Sequence, residues 1–298
     1  MNNINMVLSI QKPITISNLT LNLGQKNNYC TPAIAMKGCL KIDTITFRGI
    51  NGEQYTARVD QTPDFKQINK KLPGGGAVCC GPVAVSNAIM WLSKNGYPEL
   101  TNKKSQLEII KELIVYLKTN AYDNGTTVSD MCNGLDKLVR DKGYKIKNLE
   151  YQGYWPCSRK YHSNKVPDLK QITEALKKKS LVVFNIGRYE RSVNEKTGKV
   201  KYDYDNGHYI VLTGFRKKGN NIELLINDSA KSSKQVEVLK LKALSDGVLV
   251  PSEKATEITG LKKPQKARGY NEIVGGLDYA RKDNHIILLE GAIIMELE

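Results

Sequence analysis

Gly74-Gly-Gly-Ala-Val-Cys-Cys-Gly-Pro-Val-Ala-Val-Ser-Asn-Ala-Ile-Met-Trp-Leu92 is the stretch around which this 298-residue chain is organised. A run of glycines delivers two adjacent cysteines to the mouth of a helix. Pro82 marks the expected start. Its fixed φ suits the first helical position and its missing N–H would be unpaired there in any case, which leaves Gly81 as the N-cap. Cys80 then lies at the positive end of aligned peptide dipoles, where a thiolate is favoured over a thiol and gains nucleophilicity at neutral pH. Ala84, Ala88 and Trp91 form one apolar row along the helix, and Val85, Ile89 and Leu92 form a second, so the helix is expected to be buried. A cysteine before a buried helix is also compatible with plain packing, since a free thiol behaves as a small apolar group. Cys79, one residue further from the helix, is the alternative nucleophile.

Toward the N-terminus, Ile14-Thr-Ile-Ser-Asn-Leu and Leu40-Lys-Ile-Asp-Thr-Ile-Thr-Phe alternate apolar with polar residues, and Asn51-Gly52 is a hairpin turn before Tyr55-Thr-Ala-Arg-Val. These predict a small β-rich module over residues 1–62. Beyond the cysteine helix, residues 106–122 and 128–142 carry apolar residues at helical spacing, and residues 168–179 predict a shorter helix. Residues 151–166 read as irregular and aromatic. From Leu181 the pattern changes to strands: Leu181-Val-Val-Phe-Asn-Ile, Val200-Lys-Tyr-Asp-Tyr, His208-Tyr-Ile-Val-Leu-Thr-Gly-Phe, Ile222-Glu-Leu-Leu-Ile and Gln235-Val-Glu-Val-Leu. Helices followed by strands imply an α+β fold. Residues 251–284, rich in Lys, Gly and Pro, read as irregular before a last strand pair, Ile286-Ile-Leu-Leu and Ala292-Ile-Ile-Met. The division expected is thus 1–62, 63–250 and a C-terminal extension over 251–298 that returns to the sheet.

The composition narrows the classes open to the chain. The six cysteines are too sparse for a disulfide scaffold and include no Cys-x-x-Cys pair, which argues against a stapled module or a structural zinc site. The net charge of +15 is scattered over the length of the chain and does not form one aromatic-interleaved stripe, so it reads as a solvated basic surface and nucleic acid is not the expected partner. No run approaches the length of a transmembrane helix, and the N-terminus lacks a basic start followed by a long apolar stretch. The expected location is cytoplasmic, or outside the cell without a cleavable signal peptide. The oligomeric state is not legible.

A thiolate nucleophile needs a base to share its proton and a third group to orient that base. The chain has three histidines. His162 and His285 lie in segments that suit plain surface residues, whereas His208 opens an apolar strand and is followed by Asn227-Asp228 at the end of another. Side chains alternate along that second strand, so Ile222, Leu224, Ile226 and Asp228 share one face while Leu225 and Asn227 share the other. An apolar face that ends in a carboxylate leaves that group half-buried and in need of a partner. If the two strands pair antiparallel across residues 216–221, His208 is the natural one. Asp228 is therefore preferred to Asn227.

Cys80-Gly-Pro-Val-Ala, Gly125-Thr-Thr-Val-Ser-Asp-Met-Cys-Asn-Gly-Leu leading to Asp141-Lys-Gly-Tyr, Leu181-Val-Val-Phe-Asn-Ile, Gly207-His-Tyr-Ile-Val-Leu-Thr-Gly-Phe and Ile226-Asn-Asp-Ser-Ala together resemble the bacteriocin-processing-peptidase-like branch of the papain-like cysteine peptidases. The likeness covers roughly residues 65 to 240. It implies a papain-like fold with Cys80 as nucleophile, His208 as general base and acid, and Asp228 as the residue orienting the imidazole. It also implies an oxyanion-hole glutamine shortly before the cysteine, and here Gly74 stands at that position. The upstream amides are Gln61, Gln67 and Asn69, of which Gln67 is the favoured donor if the glycine run loops out. The expected activity is cleavage of a peptide or isopeptide bond in a protein or peptide substrate, through an acyl-thioester, with no metal or organic cofactor. Two alternatives remain: acyl transfer of the transglutaminase kind by the same residues, and an inactive papain-like binding module. Cys30, Cys39, Cys132 and Cys157 read as structural, and Tyr154 and Trp155 as packing residues.

Overall fold

The computed structural model describes residues 62–218, 221–231, 237–281 and 284–298, together with the backbone of four short strands further upstream. The decisive helix is α1, Cys80–Lys94, and nearly all of its residues from Gly81 to Leu92 are buried. It begins earlier than Pro82 suggests. Cys79 is the N-cap, Cys80 the first helical residue and Pro82 the third. The first four N–H groups of any helix lack an intrahelical acceptor, so proline is tolerated throughout that turn and marks the start only to within a residue or two. Around α1 pack α2, Gln106–Tyr116, closed at its start by a reciprocal Ser105–Glu108 capping box, and α3, Val128–Asp141, capped by Thr127.

The remaining chain builds one large sheet. Its strands are β5 (Ile146–Gly153), β6 (Leu181–Val193), β7 (Val200–Lys218), β8 (Asn221–Asn227), β9 (Glu237–Ala243), β10 (Val248–Val250), β11 (Gln265–Lys266), β12 (Asn271–Gly275) and β13 (His285–Leu297). Antiparallel pairs β7–β6, β6–β13, β13–β12, β12–β9, β9–β8 and β8–β7 run in a circuit, so these six strands close on themselves as a barrel. Alternation along the strands divides the apolar residues between two cores. Val182, Phe184, Ile210, Leu212, Leu224, Ile226, Leu289 and Ile294 fill the barrel, joined by Ile172 and Leu176 from α4, Leu169–Lys177. Leu181, Val183, Val211, Leu288, Ile293 and Met295 face outward onto α1 and α3.

Several sequence readings change. The segments read as Val200–Tyr204 and His208–Phe215 are one 19-residue strand, and the final strand pair is one 13-residue strand. Asn206-Gly207 and Glu290-Gly291 look like turns, yet each glycine sits inside a strand where a side chain approaches. A Cβ on Gly291 would lie 2.4 Å from Tyr151 Cε2, and one on Gly207 would lie 2.5 Å from the Tyr204 hydroxyl. The tail is less irregular than its composition implies, since it holds α5 (Glu253–Thr259), β11 and β12. β5, which overlaps the segment read as irregular, pairs with β13. Far from peripheral, β13 lies between β6 and β12 and also pairs with β5.

Upstream, β1 (Leu8–Ser9) pairs with β2 (Pro13–Ile14), and β3 (Ile45–Arg48) pairs with β4 (Gln54–Ala57), the strands on either side of Asn51-Gly52. β4 also pairs antiparallel with β7. The rest of the expected N-terminal module, including Gln61, lies outside the described residues.

Candidate active site

Cys80 and His208 reach a common cleft of about 520 Å³ from opposite walls, one on the helical side and one on the barrel. α1 carries Cys80 at its first turn, and β7 carries His208 near its middle. Across the β7–β8 hairpin Val211 pairs with Asn227, so the residue after β8 falls beside His208. That residue is Asp228, 2% exposed, and its Oδ1 lies 2.6 Å from His208 Nε2. The same oxygen accepts the Ala230 N–H at 2.9 Å, which fixes the carboxylate. With Nε2 engaged, Nδ1 is the ring nitrogen left for the thiol across the cleft.

The charges follow from this geometry. Burial works against a thiolate at Cys80. The His208 hydrogen bond and charge, with backbone hydrogen bonds from Tyr209 and Gly81, outweigh it and hold the thiol below its ordinary value. Burial likewise disfavours an imidazolium. Hydrogen bonds to Asp228 and Cys80 and the negative charge of both reverse that, raising His208 to about 10. Each shift supports the other, and together they describe a thiolate–imidazolium pair. Cys79 is the opposite case. It is fully buried, and desolvation, followed by the neighbouring Cys80 charge, pushes its thiol up to about 11. It packs with Leu72, Val83 and Ile110.

Asn227 points elsewhere, its Nδ2 donating to the carbonyls of Thr62 and Pro63 at 3.2 and 2.9 Å. The strand faces read in the sequence are those of the structure, with Leu224 and Ile226 in the barrel core. The clasp on Thr62 and Pro63 starts a segment that wraps back over the site. Gln67 N–H donates to the Ser229 carbonyl at 2.8 Å, and the Ser229 hydroxyl donates to Gln67 Oε1 at 3.0 Å. Gln67 Nε2 donates one hydrogen to the Ala77 carbonyl at 2.9 Å, and Gln67 lines the same cleft as Cys80. The glycine run makes this possible, because Gly74, Gly75 and Gly76 all have positive φ. Asn69 does not border the cleft; its side chain caps the turn at Lys71 N–H.

The other histidines stand apart from Cys80. His162 Nδ1 accepts the Asn164 N–H at 2.9 Å, and His285 lies 3.9 Å from Asp205. Cys132 is buried, and the Cys157 thiol donates to the Ser158 carbonyl at 3.6 Å. Trp155 does pack, stacking on Tyr154 at 4.8 Å, but it also lines the cleft with Tyr204 and with Lys254, Ala255 and Ile258 of α5. Sequence reading missed α5 as a cleft wall because nothing in a segment of seven residues so far along the chain links it to the cysteine. It also missed Glu290, whose signal was available: one carboxylate in the otherwise apolar run from His285 to Met295.

Among the described residues no cluster of His, Cys, Asp and Glu is arranged to hold a metal ion, and no helix is long and apolar enough to cross a membrane. Residues 59–246, more than half of the chain, match the family model described as Peptidase_C39 like family, and the chain belongs to that family. A thiol at a helix start with a histidine on the same cleft fits the cysteine-peptidase class that this family denotes. The match stops at 246, so β10, α5 and β11 to β13 lie beyond it. A comparison with curated proteins finds no match.

Proposed function

We propose that this protein is a cysteine peptidase that cleaves a peptide or isopeptide bond through an acyl-thioester on Cys80, with His208 and Asp228 completing the catalytic group. The observation that carries the reading is a thiol and an imidazole on one cleft with a buried carboxylate 2.6 Å from the ring. The Cys80 thiolate attacks the scissile carbonyl carbon, and the oxyanion is met by the Cys80 N–H at the positive end of α1 and by the second Nε2 hydrogen of Gln67. The His208 imidazolium gives its proton to the departing amine as the C–N bond breaks, leaving the thioester. Neutral His208 then takes a proton from water, which attacks the thioester and expels the sulfur as thiolate, restoring the thiolate–imidazolium pair and releasing the acid. Asp228 keeps the ring in the tautomer that serves both steps.

Brief alkylation at pH 6 followed by mass spectrometry, paired with digestion of a random peptide mixture, tests this. Cys80 takes the label, and the wild type, unlike Cys80→Ala, yields products ending in free carboxylates. Label on Cys79 or Cys132 with Cys80 unmodified, or no cleavage by protein whose Cys80 is reactive, would overturn the reading. Products joined to an added amine would assign acyl transfer in place of hydrolysis.

A further inference from the structure

Behind the barrel wall of the cleft lies a carboxylate that the mechanism above does not use. Glu290 is fully buried on β13, at the register shift between Leu289 and Gly291. Its Oε2 accepts the Trp155 indole N–H at 2.9 Å and the Asn185 amide at 2.6 Å, and its Oε1 accepts the Tyr189 hydroxyl at 2.5 Å. Trp155 and Asn185 both line the cleft that holds Cys80, as does Gly187. A Cβ on Gly187 would lie 2.0 Å from Glu290 Oε1, so the wall is thinned to glycine where the carboxylate reaches it. A buried charge is tolerated only when its lone pairs are satisfied, and here neutral donors satisfy them from three sides.

We propose that Glu290 is a positioning residue of the cleft, acting through Trp155 and Asn185 to hold the wall against which the substrate chain lies. Trp155 sits on the segment after β5 and Asn185 on β6, next to the strand bearing His208. One acceptor from β13 thus ties two separately supported groups into a single surface. The proposal rests on the reading of the cleft as a peptide-binding site. The same contacts give it a readout independent of cleavage. Burial pushes Glu290 up to about 7 against the lowering effect of its donors. The titratable groups facing it are Tyr151 on β5, Tyr154 after it, Tyr189 on β6, Tyr204 and Tyr209 on β7, and Tyr270 before β12, all raised by burial and neutral in that range. Near neutral pH the group that changes charge against the Trp155 indole is therefore Glu290.

The test has two arms on the full chain. In the first, tryptophan emission is followed from pH 5 to 9, with Trp155→Phe separating Trp155 from Trp91. A transition near pH 7 is expected in the wild type and is lost in Glu290→Gln and in Trp155→Phe. Its absence from the wild type, or its persistence in Glu290→Gln, overturns the proposal. In the second arm, Glu290→Met removes the acceptor at similar volume and raises KM about tenfold, with the alkylation rate of Cys80 unchanged. Glu290→Gln, which keeps one acceptor oxygen for Trp155 and Asn185, restores most of the wild-type KM. A folded Glu290→Met with wild-type KM also overturns the proposal. If Glu290→Met does not fold, Trp155→Phe decides in its place, a raised KM supporting the role and an unchanged one ending it. A wild type that cleaves nothing would sink the peptidase reading, and the emission arm would then settle alone whether Glu290 governs Trp155.

Discussion

At the scale of single residues, the Asn227-Asp228 pair separates two roles within one dipeptide. Asp228 bonds His208, and Asn227 fastens the segment that precedes α1. Asp228→Ala should lower kcat by about 10²–10⁴, since a misoriented imidazole disables both proton transfers. The pH profile carries a sign. The negative neighbour favours the imidazolium, and its loss lets the ring surrender its proton at lower pH, so the basic limb of activity, set in the wild type by His208 at about 10, moves down. Asn227→Ala should leave kcat near wild type but cost about 1–3 kcal/mol of stability by stripping two carbonyls of their donor. Activity profiles and melting curves of the two variants check both halves. The reverse ranking would show that the strand faces have been misassigned.

At the scale of elements, the glycine turn ahead of α1 positions Gln67, the proposed oxyanion donor. A Cβ on Gly76 would lie 1.9 Å from the Gln67 carbonyl oxygen, whereas one on Gly75 meets nothing within 4 Å. Gly75→Ala therefore costs only the left-handed conformation, about 1–2 kcal/mol, with little effect on turnover. Gly76→Ala must also displace the backbone that holds Gln67. Its kcat should fall by about a hundredfold with KM little changed, matching Gln67→Ala. Steady-state kinetics on the three variants provide the check. A Gly76→Ala protein that keeps full activity while Gln67→Ala loses it would break the link between turn and donor.

For the whole molecule, barrel closure depends on the last strand. β13 bridges β6 and β12, covers β5 and contributes Ile287, Leu289, Ala292 and Ile294 to the barrel interior. The extension expected beyond residue 250 is thus part of the core. A chain ending at 250 leaves β6 and β9 each without a barrel neighbour and exposes apolar surface on both faces of the sheet. Such a chain should show no cooperative thermal transition and no labelling selectivity at Cys80. A cooperative melt would show that residues 63–250 fold alone.

The sequence determined the parts of this protein that depend on nearby residues. Proline and glycine after Cys80 mark a helix start, apolar rows mark a buried helix, and an apolar strand face ending in Asp228 marks a half-buried carboxylate. These are consequences of backbone geometry over a few residues. Only the tertiary structure decided what depends on contacts between distant segments. It made Asn206-Gly207 and Glu290-Gly291 strand interior, Gly207 leaving room for Tyr204 of its own strand and Gly291 for Tyr151 of β5. It carried Gln67 to the cleft through three left-handed glycines and a clasp on Ser229. It also placed Glu290 behind Trp155 and Asn185, which local pattern could not do, since β13 pairs with β5 and β6 across long stretches of chain and not by any local period.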